Sequence, residues 1–213
     1  MQPSLHIENL NLFRQNEHLL RLNEHINGGE ILTIMGPSGC GKSTLLNWIT
    51  GSLAINFTAT GNIILNNQNL TNVPAHLRQI GVLYQDALLF SHLSVAGNIA
   101  FAMPKGDKKQ RYEKIEIALE QLGLKGLADR HPDSLSGGQK SRVALLRLLL
   151  NKPKAILLDE PFSKLDLELR ETTRHLVFKK ISDYKLPAIL VTHDHNDAIA
   201  AGGKIINLSQ KPL

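Results

Sequence analysis

The stretch that decides the fold reads Gly36-Pro37-Ser38-Gly39-Cys40-Gly41-Lys42-Ser43-Thr44. It matches the pattern G-x-x-x-x-G-K-[ST], in which glycines let the backbone wrap a phosphate with its N–H groups pointing inward. The apolar run Ile31–Met35 before it predicts a strand, and Thr44–Thr50 after it predicts a helix that ends at Gly51. A phosphate-binding loop requires this order of strand, loop and helix, because the helix N-terminus adds positive potential.

We expect different roles for three side chains of this loop. Lys42 is expected to reach the β- and γ-phosphates of a nucleotide, and the Ser43 hydroxyl is expected to ligate Mg²⁺. Cys40 is the only cysteine of the chain, so a disulfide framework and a multi-cysteine zinc site are excluded. A glycine-rich surface turn is the alternative interpretation, and the flanking strand and helix argue against it.

Further short apolar runs predict buried strands at Ile80–Tyr84, Ala155–Leu158, Ala188–Thr192 and Lys204–Leu208. They are apolar throughout rather than alternating, which is typical of parallel strands covered on both faces. Helical stretches lie between them. We therefore expect an α/β phosphate-loop (RecA-like) fold with a mostly parallel sheet core.

Two regions depart from this alternation. Ser4–Glu30 and Thr58–Leu70 are strand-like and interrupted by Gly and Asn turn signals, which predicts an N-terminal antiparallel β appendage. The stretch from about Leu88 to Asn151 is mostly helical and predicts a helical insertion. Within it, helical spacing of apolar residues stops at Gly123, a position typical of a left-handed helix end.

Composition and charge exclude several classes of protein. The chain has 213 residues, 42% of them hydrophobic, with 24 Lys and Arg against 19 Asp and Glu. A disordered or low-complexity chain would be less hydrophobic. The sequence contains no long Lys/Arg block interleaved with aromatic residues, which would be expected of a nucleic-acid-binding protein. The longest apolar run, near Leu145–Leu150, is broken by Arg147 and is too short to span a bilayer.

A pair of carboxylates follows the predicted strand Ala155–Leu158, and Pro161 follows the pair. Asp159 is expected to hold Mg²⁺ directly or through water. Glu160 is expected to accept a proton from an attacking water molecule. Both could instead be ordinary strand-end carboxylates, but the phosphate loop argues against that reading.

A second motif, Leu135-Ser136-Gly137-Gly138-Gln139, opens the predicted helix Lys140–Leu150. Ser136 and Gln139 have the spacing of a capping box, so a well-capped helix is one interpretation. Two consecutive glycines weaken a helix start by about 1 kcal/mol each relative to alanine. A cap does not need them, so we expect a second phosphate to approach Gly137 and Gly138 closely.

Nearly the whole chain resembles the ATP-binding subunit of ABC transporters. Leu135–Gln139 is that family's signature as it stands. The other motifs follow in the family's order and spacing: Gly36–Thr44 as Walker A, Gln85 as the Q-loop, Ala155–Glu160 as Walker B, Ser163-Lys164-Leu165-Asp166 as the D-loop and His193 as the switch histidine. The chain is most similar to short importer-type ATPases, such as those of thiamine and molybdate systems.

The resemblance implies one ABC ATPase domain over residues 1–213. Residues 1–87 and 152–213 would form the nucleotide-binding core, and residues 88–151 the helical subdomain. It also implies a homodimer in which each ATP, with Mg²⁺, lies between Walker A of one copy and Ser136–Gln139 of the other.

The remaining roles come from the same resemblance. Glu160 would polarise the attacking water and His193 would contact the γ-phosphate. Gln85 would be a Mg²⁺ ligand that links the site to the helical region. Asp166 would cross the dimer interface.

The expected partners are the transmembrane permease and a separate solute-binding protein, with no direct nucleic acid contact. The segment Leu88–Val95 resembles the surface that receives the membrane subunit, although internal packing of the helical region is an alternative. These partners imply a peripheral location on the cytoplasmic face of the inner membrane. Export or lipoprotein release is the alternative to import. A soluble ABC ATPase acting on nucleic acid is less favoured, and a phosphate-loop kinase or GTPase would not explain Leu135–Gln139 or His193.

Two positions depart from the family pattern. The aromatic residue that stacks on adenine is expected where this chain has Arg14, and Phe13 lies one residue earlier. Because a shift of one residue in a strand reverses the side chain, either residue could meet the base, or neither. Lys164 occupies a D-loop position where a small residue is more common, and the sequence offers no reason for it.

Overall fold

The computed structural model describes residues 3–15 and 17–208, so residues 1, 2, 16 and 209–213 of the predicted domain lie outside it. The strands are β1 (Ser4–Arg14), β2 (Glu17–Asn27), β3 (Ile31–Met35), β4 (Phe57–Leu65), β5 (Gln68–Asn69), β6 (Ile80–Tyr84), β7 (Ala155–Asp159), β8 (Ala188–Thr192) and β9 (Ile205–Asn207). The helices are α1 (Lys42–Thr50), α2 (Val95–Ala102), α3 (Lys108–Gln121), α4 (Gly137–Leu150), α5 (Leu167–Asp183) and α6 (His195–Ala201).

The described chain divides into two compact units. The first contains the residues up to Ile80, Lys154–Glu160, and those from Phe178 onward. The second contains Gly81–Pro153 and Pro161–Val177. None of the helices in the described residues is long and apolar enough to cross a bilayer.

Four strands of the first unit form a sheet in the order β7-β8-β3-β9. Within the first unit, β3 pairs in parallel with β8 and β9, and β7 pairs in parallel with β8. Every residue of β3 and β8 is buried, which explains why these strands are apolar without alternation. The predicted α/β class with a parallel core is confirmed. Because the strands are parallel, the residues that follow β3, β7 and β8 lie at one edge of the sheet.

The predicted antiparallel appendage is also confirmed, as a four-stranded sheet in the order β2-β1-β4-β5. Leu5 of β1 lies opposite Ile26 of β2 and Leu65 of β4, and all three are buried. The pairing of β1 with β2 shifts by one residue between Leu12 and Phe13. Such a bulge bends the strand and redirects the side chains that follow it.

In the second unit, α2 packs against α3 and α4. The apolar positions of these helices form its core, with Ile99, Leu119 and Val143 fully buried. Gly123 has φ +68° just after α3, as predicted for a left-handed helix end. Helix α4 begins at Gly137, three residues before the predicted start. Ser136 is its N-cap residue, so the residue that follows it is already helical.

Candidate functional site

The loop between β3 and α1 turns by means of glycines with left-handed backbones. Gly39 has φ +85° and Gly41, the N-cap residue of α1, has φ +97°. Within the described residues, no side chain caps this end of the helix. The first N–H groups of α1 are therefore available to an anion, and the helix dipole favours negative charge there.

Lys42 places a cation within the curve of this loop. Its side chain is buried, and Nζ donates hydrogen bonds to the carbonyl oxygens of Gly36 (2.7 Å) and Pro37 (2.8 Å). Cys40 is buried beside it, with Sγ 3.9 Å from Nζ. The loop backbone thus holds the ammonium group of Lys42 on the side of the loop that would face a bound phosphate.

Strand β2 lies against the phosphate loop. A Cβ added at Gly41 would lie 3.1 Å from Leu20 Cδ2 and 3.8 Å from Leu19 Cβ. In the neighbouring part of the hairpin, the half-buried Phe13 ring is 5.2 Å from the His18 ring, whereas Arg14 lies opposite Glu17 and is exposed. Both residues at which the sequence expects an adenine contact therefore belong to the hairpin that reaches the loop.

The two carboxylates follow β7 at the same sheet edge. Burial of Asp159, and next the negative charge of Glu160, raise the pKa of the Asp159 carboxyl, while the Lys42 ammonium acts in the opposite direction. Glu160 adopts φ +45°, and its N–H donates to the carbonyl oxygen of Val191 (2.9 Å). A non-glycine residue in this conformation is strained by about 1–3 kcal/mol.

These residues fit a magnesium ion. Burial is the largest cause of the raised pKa of Asp159 and the charge of Glu160 adds to it, so a bound cation would stabilise the ionised carboxylate. The carboxylate and hydroxyl oxygens of Asp159, Glu160 and the exposed Ser43 are hard donors of the kind Mg²⁺ prefers.

His193 joins this group from the end of β8. Its Nδ1 is 3.1 Å from Oε2 of Glu160, and its side chain is 62% exposed. The turn beneath it is fixed by buried groups: the Thr192 hydroxyl accepts from the N–H of Asp194 (3.1 Å) and contacts Oδ2 of Asp197 at 3.3 Å. Asp194 also caps α6 through the N–H groups of Asn196 and Asp197. Hydrogen bonds therefore hold the turn that carries His193, and the histidine meets the carboxylate that follows the neighbouring strand.

A comparison with protein families matches residues 19–163 to the model described as ABC transporter. This chain belongs to the ABC transporter family. It is 45% identical over 206 residues to the uncharacterized ABC transporter ATP-binding protein YnjD of Escherichia coli, a match that covers 96% of this chain and 94% of that protein.

Two further relatives of this ABC ATPase are import proteins. The chain is 42% identical to the spermidine/putrescine import ATP-binding protein PotA of Clostridium acetobutylicum, over 93% of its own length and 56% of that protein. It is 44% identical to the Fe(3+) ions import ATP-binding protein FbpC of Serratia marcescens, over 87% of its own length and 55% of that protein. The chain thus spans about half the length of these two relatives.

The first unit of the ABC ATPase contains Lys42 of the phosphate loop, the carboxylates of Asp159 and Glu160, and His193. The charges of Lys42 and Glu160 act on the Asp159 carboxyl, and Glu160 contacts His193. Gln85, the signature motif and Asp166 belong to the second unit. Gln85 is exposed directly after β6.

The signature motif forms the capping box that its spacing predicts. Ser136 Oγ accepts from the N–H of Gln139 (3.3 Å), and Gln139 Oε1 accepts from the N–H of Ser136 (2.9 Å). A Cβ at Gly138 would lie 2.2 Å from Cδ2 of Leu169, whereas a Cβ at Gly137 would meet nothing within 4 Å. Gly138 thus has a packing reason that sequence reasoning missed, and the argument from close phosphate approach depends on Gly137 alone.

Asp166 has a structural task within its own chain. Its Oδ1 accepts a hydrogen bond from the N–H of Leu169 (2.9 Å) at the start of α5. The capping interaction fixes the end of the D-loop, and the sequence signal for it is the ordinary one of an aspartate just before a helix.

The segment Leu88–Val95 is held by Asn98 of α2. The fully buried Asn98 accepts from the N–H of Phe90 (2.8 Å) and donates to its carbonyl oxygen (3.0 Å). Phe90 contacts the ring of Phe101 at 4.8 Å, and Phe101 is 69% exposed, as is 58% of Leu88. The segment therefore combines internal packing with an exposed apolar face, which leaves both sequence interpretations open. Sequence reasoning missed Asn98, because a single asparagine in a helix carries no functional signal.

Proposed function

We propose that this ABC ATPase is the motor subunit of a membrane transporter that imports a small solute. The observation that carries the proposal is the 3.1 Å contact between His193 and Glu160, next to Asp159 at the sheet edge where the phosphate loop with Lys42 begins. Import is supported by the names of relatives that act on polyamines and ferric ions. The transported solute is chosen by other subunits, so the motor does not specify it.

In the proposed reaction, the N–H groups at the start of α1 and the ammonium of Lys42 hold the β- and γ-phosphates of ATP. Glu160 accepts a proton from the attacking water at its carboxylate, and His193 orients that carboxylate and contacts the γ-phosphate. Ser43, Asp159 and Gln85 would hold Mg²⁺, which neutralises phosphate charge when bound. Phe13 or Arg14 would face the base.

The same proposal includes a homodimer. The γ-phosphate bound to one subunit would meet Ser136, Gly137, Gly138 and Gln139 of the second copy, and Asp166 would lie at the interface. A second helix N-terminus adds N–H donors and positive potential opposite the first. ATP would then stabilise the dimer, and hydrolysis would weaken it.

We further propose that the permease subunits dock near Leu88–Val95. The exposed Leu88 and Phe101 provide apolar surface for a membrane subunit. A separate solute-binding protein would complete the transporter. The ATPase would then lie peripherally at the cytoplasmic face of the inner membrane. The whole chain, 1–213, would act as one ATPase domain. Nucleic acid has no direct role in this proposal.

The test of the mechanism is the variant Glu160→Gln. We expect turnover to fall by about 10²–10⁴, because the amide cannot accept the proton, while ATP binding persists. With ATP and Mg²⁺, size-exclusion chromatography should show a stable dimer. Glu171→Gln, on the exposed face of α5, is the matched control and should keep wild-type turnover.

A Glu160→Gln protein that hydrolyses ATP at the control rate would contradict the catalytic assignment. One that stays monomeric at saturating ATP would contradict the shared site. The transporter role is tested by purifying the tagged chain from gently solubilised membranes. A stoichiometric multi-span protein, lost in Phe90→Ala but kept in Tyr184→Ala, supports import or export. A nucleic-acid partner would overturn it.

A further inference from the structure

Lys164, which the family pattern does not explain, forms an ion pair with Asp86. Its Nζ is 2.5 Å from Oδ1 of Asp86, and the two side chains are 52% and 61% exposed. Asp86 directly follows Gln85, and Lys164 lies two residues before Asp166. The pair therefore joins the end of the Q-loop to the D-loop, 78 residues apart in sequence.

A second interaction holds the same segment from helix α4. The guanidinium of Arg147 donates to the carbonyl oxygens of Leu88 (2.8 Å) and Ala87 (3.0 Å), and it lies 5.6 Å from the centre of the Phe90 ring. Burial lowers the pKa of this arginine. Lys164 of the D-loop therefore binds one end of the segment 86–90, and Arg147 of the signature helix contacts the rest of it.

The signature helix also touches helix α5, which directly follows the D-loop. Gly138 in the first turn of α4 packs so closely against Leu169 that no Cβ fits between them. The N–H of Leu169 in turn donates to Asp166. The contacts close a ring within the second unit: Asp86 to Lys164, along the D-loop to Leu169, across to Gly138, and along α4 to Arg147 and back.

We propose that Lys164 is a positioning residue that makes the segment after Gln85 and the D-loop change position together during the ATP cycle. The ion pair is the exposed link of the ring, and it is the link that ordinary packing does not require. Exposed pairs of this kind shift an equilibrium by about two- to five-fold. The inference rests on the proposed function, since it assigns the D-loop and the segment after Gln85 to the dimer and permease contacts.

The test is a charge-exchange cycle of Asp86→Lys, Lys164→Asp and the double variant. Each single variant places like charges together, so we expect it to lower kcat by about two- to five-fold and to weaken ATP-dependent dimerisation in the Glu160→Gln background by a similar factor. The double variant restores the pair with reversed polarity and should recover both. The KM for ATP should change less than kcat, since neither residue belongs to the phosphate loop. At about 1 M salt, where screening reduces the Debye length to about 3 Å, the single variants should approach wild type.

The pair Lys125–Glu120 is the matched control. Its Nζ–Oε1 distance is 2.6 Å and its side chains are 75% and 58% exposed, but it joins residues only five apart. Charge reversal at Lys125 should leave kcat and dimerisation unchanged. The inference is overturned if the Lys164 and Asp86 variants behave like this control, or if the double variant is as defective as the singles.

The two proposals can fail separately. If Glu160→Gln does not dimerise with ATP, the shared-site mechanism is wrong, and the double-variant cycle in kcat alone then decides the role of Lys164. A melting temperature lowered equally in the single and double variants, with no recovery of kcat, would show a purely structural role and overturn the inference.

Discussion

Arg78 fixes the end of the helix that follows the phosphate loop, and its removal is the sharpest test of the fold. The side chain is 6% exposed, and its described hydrogen bonds go to backbone carbonyl oxygens, with no carboxylate among them. Its guanidinium donates to the carbonyl oxygens of Trp48 (2.9 Å), Ile49 (2.8 Å), Val73 (2.8 Å) and Thr71 (3.0 Å). The first two belong to the last turn of α1, whose first residue is Lys42.

The variant Arg78→Met keeps most of the aliphatic volume and removes all four hydrogen bonds. Bonds from a charged donor contribute about 1.5–3 kcal/mol each, so the gross loss is about 6–12 kcal/mol. Releasing a buried charge, whose pKa burial already lowers, returns several kcal/mol of that amount. We expect a net loss of about 3 kcal/mol in the free energy of unfolding, and a melting temperature lower by about 6–12 °C.

The assay is thermal and urea unfolding of the nucleotide-free protein, repeated with ATP. Arg21→Met, on the exposed face of β2, is the matched control and should lie within about 0.5 kcal/mol of wild type. Arg78→Lys keeps the charge but not the planar fork, so its loss should be intermediate. Melting of Arg78→Met within about 2 °C of the control would refute the reasoning, because the four carbonyl groups would then not depend on the guanidinium.

Three other predictions follow from single contacts. Gly137→Ala should stabilise the protein by up to about 1 kcal/mol in thermal unfolding. Gly138→Ala should destabilise it by about 1–2 kcal/mol, because the added Cβ collides with Leu169 of α5. Equal effects of the two variants would contradict the packing argument. Burial and the neighbouring His25 ring lower the pKa of His6 in the folded protein. Neutral His6 therefore contributes stability above its ordinary pKa, and this contribution is lost as the pH falls toward its lower pKa in the folded state. His6→Gln should flatten the fall in melting temperature between about pH 7.5 and pH 5.5. Thr192→Val removes the hydroxyl next to His193, the proposed γ-phosphate contact, and should lower kcat by about tenfold with the KM for ATP within about twofold; an unchanged kcat would show that the turn holds without it.

Much of the fold was predictable because its strands are continuous apolar runs. The bounds Ile31–Met35, Ile80–Tyr84 and Ala188–Thr192 agree with the structure residue for residue. Buried parallel strands need apolar side chains on both faces, so the run itself marks the strand. The motifs of the site were equally legible, since phosphate loops and strand-end carboxylates depend on residues adjacent in sequence.

The features that could be predicted from the amino-acid sequence are therefore local: the strands, the phosphate loop, the carboxylates and the capping box at Ser136. The tertiary structure alone decided which distant residues meet, as in the grip of Arg78 on α1, the packing of Gly138 on Leu169, and the pair of Lys164 with Asp86. The physical reason is range. Helix caps, glycine turns and apolar runs act within a few residues, whereas a buried guanidinium, a missing Cβ and an ion pair gain their meaning from groups that only the folded chain brings within contact distance.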